Sequence, residues 1–228
     1  MSGGSTTTGG LERPDAAQQA FGDRLDLAQR FADILTTDGI ERGLVGPREA
    51  DRIWDRHLLN CAALAELIPS GQRIVDVGSG AGLPGLVLAI RRPDLRVDLV
   101  ESLRRRTDFL TETVAALQLS GRVRVIRGRA EDTAVLTEVG SARWVTARAV
   151  APIDRLVRWC LPLLEPGGQL LAMKGRSAVE ELAEHADAIR RAGGRDARVA
   201  HCTVPGTTGS ISVIVVRRAD SQGKKGSS

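Results

Sequence analysis

The 228-residue chain contains no tyrosine, and aromatic residues make up only 3% of it. A nucleic-acid surface built from rows of stacking rings is therefore not expected. A polyanion would have to be held by phosphate contacts and shape. Lysine is scarce as well: Lys174, Lys224 and Lys225 are the only lysines among 32 basic residues. Arginine supplies the rest, and its planar fork suits phosphate and base edges, although a GC-rich genome produces the same excess. The cysteines are Cys61, Cys160 and Cys202. Their odd number and wide spacing exclude a disulfide framework and a metal-ligand pattern, and point to a reducing, cytoplasmic compartment. No apolar run approaches the roughly 18 residues of a membrane helix. The opening MSGGSTTTGG has neither the basic nor the apolar part of a secretory signal.

What is present is the material of one substantial domain: 42% hydrophobic and 26% charged residues. A net charge of +4 permits a polyanionic partner without requiring one. Residues 1–16 are rich in Gly, Ser and Thr and are expected to be disordered, as is the tail 219–228 (ADSQGKKGSS). Residues 17–70 read as a helical extension. Phe21, Leu25, Ala28 and Phe31 fall at helical spacing, and Gly39, Gly43 and Gly46-Pro47 break the run. A second helix is expected over 48–68, with Ile53, Trp54, Leu58, Cys61 and Leu64 as its apolar stripe.

From residue 71 to 218 the pattern changes. Short β-rich runs at 73–77, 96–101, 122–126, 144–147 and 168–173 alternate with helical segments at 84–91, 104–119, 131–139 and 153–164. That alternation predicts βαβ units and a doubly wound, mostly parallel sheet. A further helix at 177–192 precedes runs at 197–204 and 210–217. The turn residues Pro205-Gly206 and Gly209 between them predict a C-terminal antiparallel hairpin at the sheet edge.

The strongest local signal is RIVDVGSGAGLPG, residues 73–85: an apolar strand, a glycine loop and a helix start. Glycines admit positive φ and close backbone approach, and the loop N–H groups can hold polar groups of a ligand. The loop fits two patterns. Residues 80–85 match the dinucleotide G-x-G-x-x-G, whereas Gly78, Gly80 and Gly82 match the G-x-G-x-G of S-adenosylmethionine enzymes. Asp76 favours the second, because a carboxylate inside an apolar strand needs hydrogen bonds or a cation, which a methionyl ammonium and a sulfonium would offer. Pro84 and the short chain point the same way. At the end of the second strand, Glu101 is placed to accept ribose hydroxyls. After the third strand, Ala130 and Glu131 stand where an adenine is commonly framed, although Glu131 is also a first-turn acid favoured by the helix dipole.

The segment after strand four, VTARAVAP at 145–152, has no Asn/Asp-Pro-Pro-aromatic clamp for an exocyclic amine and no attacking cysteine. A reaction that needs no strong base remains, such as methylation of guanine N7, which carries a free lone pair and depends mainly on alignment. Lys174 ends strand five at the same sheet edge; it reads either as a contact to phosphate or base O6, or as a lysine capping a strand. His57 and Asn60 share a helix face at i, i+3 and either lean over the donor pocket or form a structural pair. Arg104, Arg105 and Arg106 open a helix where cations are disfavoured, which calls for a phosphate or a carboxylate such as Glu101. Arg122, Arg124, Arg127 and Arg129 flank strand three and extend the expected basic rim.

The segments 54–60 (WDRHLLN), 75–85 (VDVGSGAGLPG), 101–106 (ESLRRR), 128–131 (GRAE), Arg148-Ala149 and Lys174-Gly175 resemble, in order and context, the small-subunit rRNA guanine-N7 methyltransferase G family, also called glucose-inhibited division protein B. The resemblance covers about residues 20–217, and its most specific part is the Gly-Leu-Pro-Gly continuation of the glycine loop. It implies a class I S-adenosylmethionine-dependent methyltransferase fold: Rossmann-like, with a mostly parallel seven-stranded sheet, the antiparallel hairpin and an N-terminal helical extension. The implied donor is S-adenosyl-L-methionine, contacting Gly78, Leu83, Ala130, Glu131 and Arg148, with Asp76, Ser79, Gly80, Gly82 and Glu101 completing its site. The implied substrate is a guanine of 16S rRNA in the small ribosomal subunit or its precursor. His57, Asn60, Lys174 and Arg148 are taken as the reacting pocket, and Arg104–106 with Lys174 as RNA contacts. No metal, no membrane and a monomer are expected. Rival readings are a small-molecule or protein methyltransferase, a nicotinamide oxidoreductase and a non-catalytic RNA-binding assembly factor.

Overall fold

The computed structural model describes residues 13–220. Within them the strands are β1 (Arg73–Val77), β2 (Arg96–Glu101), β3 (Val123–Arg127), β4 (Ala142–Arg148), β5 (Leu164–Lys174), β6 (Gly194–Thr203) and β7 (Ser210–Arg218). They form a seven-stranded sheet in the order β3-β2-β1-β4-β5-β7-β6. β1 to β5 run parallel, and β7 is antiparallel to both β5 and β6. The order reverses between β1 and β4, so the carboxyl ends of these strands border a crevice where ligands bind in doubly wound sheets. The expected alternation and the terminal hairpin are both present.

The helices are α1 (Asp15–Phe21), α2 (Leu25–Thr36), α3 (Asp38–Glu41), α4 (Leu59–Ala63), α5 (Gly85–Arg91), α6 (Arg104–Ala116), α7 (Thr133–Val139), α8 (Ile153–Cys160), α9 (Ala178–Glu184) and α10 (Ala186–Arg191). They divide between the two faces of the sheet. On one face, Ile74, Leu99, Leu171 and Val213 share a continuous apolar core with Phe31 and Leu35 of α2, Leu59 of α4, Leu86 of α5 and Phe109 of α6. On the other, Val75, Val100, Val145, Leu170 and Ile214 pack with Val135 of α7, Leu156 of α8 and Ile189 of α10. The helices ahead of β1 therefore form part of the main core, and burying that face of the sheet requires them.

Two boundaries differ from the sequence reading. α1 begins at Asp15, inside the stretch expected to be disordered, because Ala16 and Ala17 are buried against the core. At the other end, the Ala219 N–H donates to the Gly193 carbonyl at 2.8 Å. The remainder of both tails, including Lys224 and Lys225, lies outside the described residues. The single helix expected over 48–68 is instead a succession of geometries: a 3₁₀ segment (Pro47–Arg52), a π-helical segment (Ile53–Leu58), α4 and a second 3₁₀ segment (Leu64–Leu67). The Leu59 N–H reaches back five residues to the Trp54 carbonyl. Such wide turns are rare and concentrate at functional sites, because they re-aim the side chains they carry.

Candidate active site

β1 delivers Asp76 to the centre of the carboxyl edge. Alternation sends Val75 and Val77 into the core beneath α8 and turns Asp76 to the opposite face. There it is fully buried, in register with Thr146 of β4. The Thr146 hydroxyl donates to one carboxylate oxygen at 2.8 Å, and the Gly85 N–H donates to the other at 3.2 Å. The Ser79 hydroxyl donates to the Asp76 carbonyl at 2.9 Å, which closes the turn that follows. No ion pair to Asp76 exists among the described residues. Burial pushes its carboxyl up to about 6, against the pull of the Thr146, Ser79 and Gly85 hydrogen bonds and of the nearby Arg148 charge.

The glycine loop is sterically required where it meets this strand. Gly78 has φ +68°, and a Cβ there would lie 2.7 Å from the Val150 side chain. Gly85, which bonds Asp76, has no room either: its Cβ would meet Leu99 at 2.4 Å and Asp76 at 2.8 Å.

Next to the loop, Glu101 ends β2 with 3% of its surface exposed. Its two oxygens are held separately. The Gly80 N–H donates to one at 3.0 Å and the Leu103 N–H to the other at 2.9 Å. Arg106 of α6 approaches the same carboxylate at 3.5 Å. The Ser102 hydroxyl lies 3.5 Å from the oxygen that Leu103 holds, so Glu101 ties the glycine loop to the start of α6 while lining the adjoining cleft. That cleft, about 250 Å³, has Val77, Val100, Val150 and Trp159 as apolar walls. Its polar rim comes from Gly78, Glu101, Ser102 and the 128–131 turn. The volume is near the lower end of small-ligand pockets, at roughly 300 Å³.

A second group of residues meets at the end of β4, on the side of the N-terminal helices. Arg148 follows Thr146 on the same face, and Ala149 after it takes φ +52°, an unusual conformation for a residue with a Cβ. The Arg148 guanidinium reaches across to the π-helical segment. It donates to the Cys61 Sγ at 3.0 Å, to the Arg56 carbonyl at 3.4 Å and to His57 Nδ1 at 2.8 Å. His57 Nε2 lies 2.9 Å from a Glu49 carboxylate oxygen. Burial, followed by the Arg148 charge, holds His57 below its usual range. The hydrogen bond with His57 holds Glu49 below the usual carboxylate range. Asn60 donates to the Arg56 carbonyl at 3.1 Å, so that oxygen serves both Asn60 and Arg148.

The expected site residues therefore sort into several places. Gly78, Glu101, Ala130 and Glu131 line the cleft beside the β1 loop. Asp76, Ser79, Gly80 and Gly82 build the loop from behind, and Leu83 packs against the main core. His57, Asn60 and Arg148 converge on the end of β4. Lys174 stands apart at the end of β5. Its ammonium contacts the Ala151 carbonyl at 2.9 Å and Glu181 of α9 at 2.7 Å, in a shallow neighbouring depression that shares Val150 with the cleft. Arg104 and Arg105 are exposed, and Arg104 approaches Asp108 at 3.7 Å. Arg124 does not join the expected basic rim: both it and Arg73 are tied to Asp98. Arg122 is half-buried beside the Arg92 carbonyl. Sequence reasoning missed Glu49, Thr146, Glu181 and Trp159. Only Glu49 left a trace, as an acid on the same helical run as His57.

Comparison with known proteins places this geometry in context. The sequence pattern of the family described as rRNA small subunit methyltransferase G matches residues 24–208. The chain is 60% identical over 205 residues to the ribosomal RNA small subunit methyltransferase G of Salinispora tropica, covering 89% of this chain and 85% of that one. To the protein of the same name in Mycobacterium sp. strain JLS it is 51% identical over 213 residues, covering 93% and 94%. Among solved structures, mitomycin 7-O-methyltransferase MmcR superposes with a TM-score of 0.58 at 19% identity, covering 90% of this chain and 65% of that one, a likeness of fold alone.

Proposed function

The chain belongs to the rRNA small subunit methyltransferase G family, and from that membership and the site geometry we propose that it transfers a methyl group from S-adenosyl-L-methionine to N7 of a guanine in 16S rRNA. One observation carries the donor assignment. Glu101 is almost wholly buried, yet both its oxygens are spread by separate backbone N–H donors at the mouth of a narrow, apolar-walled cleft. A purely structural carboxylate would be walled off from any cavity; this one lines the cleft, where a ribose hydroxyl would take the place of its longer contacts to Ser102 and Arg106.

The residues present fit the donor. Gly78 lines the cleft with no room for a side chain beside Val150, so its bare peptide would face the donor. Glu101 would accept the ribose hydroxyls, the turn at Ala130 and Glu131 would edge the adenine, and Val77, Val100, Val150 and Trp159 would exclude water from it. Asp76 lacks a cation of its own and would lend negative potential to the positively charged end of the donor. When bound, S-adenosyl-L-methionine supplies an electrophilic methyl on sulfonium. Guanine N7 presents a lone pair and no proton, so the protein needs to align rather than to deprotonate. Arg148, set at the end of β4, would orient groups at the junction of donor and base. Exposed Arg104 and Arg105 would meet RNA phosphate.

We further propose that the protein acts as a cytoplasmic monomer on the small subunit or its precursor. Among the described residues, Leu103 and Val179 are the exposed large hydrophobics, and no helix is long and apolar enough to cross a membrane. The helical extension (17–70) and methyltransferase part (71–218) are proposed to act as one folded unit, supported by the core they share.

The test is incubation with labelled S-adenosyl-L-methionine and unmodified bacterial small subunits. Label is then mapped by strand cleavage with aniline after borohydride reduction. Label at one guanine N7, lost in Arg148→Ala, is the expected result. Donor binding without transfer to RNA would remove the rRNA assignment and leave the donor assignment standing.

A further inference from the structure

The Arg148 guanidinium holds a defined position at the end of β4 that its own strand does not impose. Arginine is long and has many rotamers, and nothing in β4 restrains it beyond its own backbone. Three contacts restrain it from the N-terminal helices: the Cys61 Sγ at 3.0 Å, the Arg56 carbonyl at 3.4 Å and His57 Nδ1 at 2.8 Å. The first is a weak acceptor. The second is long and shared with Asn60. The bond to His57 is the shortest of the three, and it exists only if Nδ1 carries no proton, because a guanidinium donates and never accepts. A neutral imidazole populates both tautomers, so something must place its single proton on Nε2. Glu49 stands there, with its carboxylate oxygen 2.9 Å from Nε2.

We infer that Glu49 is a positioning residue of the methyl-transfer site: by accepting a hydrogen bond from Nε2–H it holds His57 in one tautomer, and that tautomer fixes Arg148 at the end of β4. This rests on the reading of the β4 end as part of the donor site. The arrangement joins two consecutive helical segments, the 3₁₀ segment Pro47–Arg52 and the π-helical segment Ile53–Leu58, to β4, which lies far along the chain. The π-helical segment gives the wide turn a function, since it aims the His57 ring between an acid and an arginine. A carboxylate–imidazole pair that orients a third group is the same logic by which second-shell acids set the tautomer of ligating histidines.

The structure also fixes the sign of a pH effect. The charged groups facing His57 are Glu49, Arg148 and Arg56 of its own turn, with Asp76 and the Cys61 thiol behind Arg148. Protonating His57 turns Nδ1 into a donor pointed at a guanidinium, which expels Arg148. Donor affinity therefore falls as pH drops through the titration of His57. Removing the Glu49 carboxylate takes away an anion that favours imidazolium, so that acid limb moves to lower pH even though affinity at neutral pH is weaker.

The experiment uses the full chain. Nitrogen shifts of the histidine rings, of which there are three in all, are recorded for wild type, Glu49→Ala and Glu49→Gln, with His57 assigned from His57→Gln. S-adenosyl-L-methionine binding is measured from pH 5 to 8 in the same samples. Wild type should show the Nε2–H tautomer at His57. Glu49→Ala should show a tautomer mixture, about tenfold weaker donor binding at neutral pH and the shifted acid limb. Glu49→Gln keeps an acceptor and should recover affinity to within about threefold. Unaltered melting of Glu49→Ala alongside these changes separates positioning from folding. An Nδ1–H tautomer in wild type, or a Glu49→Ala protein with wild-type tautomer and affinity, overturns the inference. Wild type that binds no donor at all overturns the donor reading instead, and the ring shifts alone then decide whether Glu49 sets the tautomer.

Discussion

Asp76 and Asp98 sit on neighbouring strands, one register step apart, and both are almost completely buried. Their surroundings differ in one respect. Asp98 faces two guanidiniums: Arg73, and Arg124 at 2.6 and 2.8 Å. Burial alone would raise its carboxyl, but Arg124 and Arg73 outweigh it and hold it below the usual range. Asp76 faces a hydroxyl and a peptide N–H, and burial wins, lifting it to about 6. A buried acid supplied with its own cations belongs to the architecture. A buried acid hydrogen-bonded only by neutral donors, with Arg148 acting on it through space alone, is in deficit, and behind a glycine loop that deficit marks a site awaiting charge from outside.

The largest expected effect comes from breaking the balanced member. Asp98→Ala leaves Arg73 and Arg124 without their anion. Loss of a buried partner typically destabilises by 3–5 kcal/mol, and the partly exposed arginines reduce that to about 3 kcal/mol. Urea denaturation should show it, while the folded fraction binds donor normally; a loss of binding in that fraction would erase the distinction between the two acids.

Asp76→Asn should do the reverse. The folded value of about 6 is above the ordinary 3.8, so the stability that wild-type Asp76 contributes is complete below 3.8 and is lost as pH rises through 6. The variant does not titrate. Relative to wild type it should gain about 2 kcal/mol in unfolding free energy between pH 4 and 7, while donor affinity drops at least roughly tenfold. Parallel stability–pH curves for the two proteins would show that Asp76 is already neutralised within the fold.

Thr146→Val sharpens the comparison further. It deletes the hydroxyl that supports the Asp76 carboxylate, at about 1–2 kcal/mol near neutral pH and less below pH 4, where the acid is protonated. Thermal melts at two pH values suffice. The smallest expected effect belongs to the exposed rim. Arg104→Ala and Arg105→Ala should leave melting unchanged and flatten the salt dependence of binding to small-subunit RNA by about one counterion each.

The strands were legible because each short apolar run is bounded by glycine, proline or polar turns, and the loop at 78–85 announced its edge through residue types that few other structures require. Glu101 and the 128–131 turn were legible through position alone, as the residues that end successive parallel strands. Arg124 shows the limit. Its spacing near Arg122 and Arg127 suggested a basic rim, but strand alternation carried it to Asp98. The helix expected over 48–68 shows another. Its apolar stripe is equally compatible with several helical pitches, and packing of Trp54 and Leu58 against the main core selected a π-helical segment.

Composition, periodicity and the glycine loop by themselves determined a parallel doubly wound sheet, a ligand edge and a loop shaped for close backbone contact, because these depend on local sterics and on which residues must leave water. The tertiary structure alone decided which partner each ionisable group receives. Thr146 reaches Asp76 and His57 reaches Arg148 across separations that no local pattern encodes, and Glu181 reaches Lys174 and Glu49 reaches His57 across element boundaries. An ionisable group takes its properties from whatever lies within a few ångströms, and for this chain those neighbours come from other strands and helices.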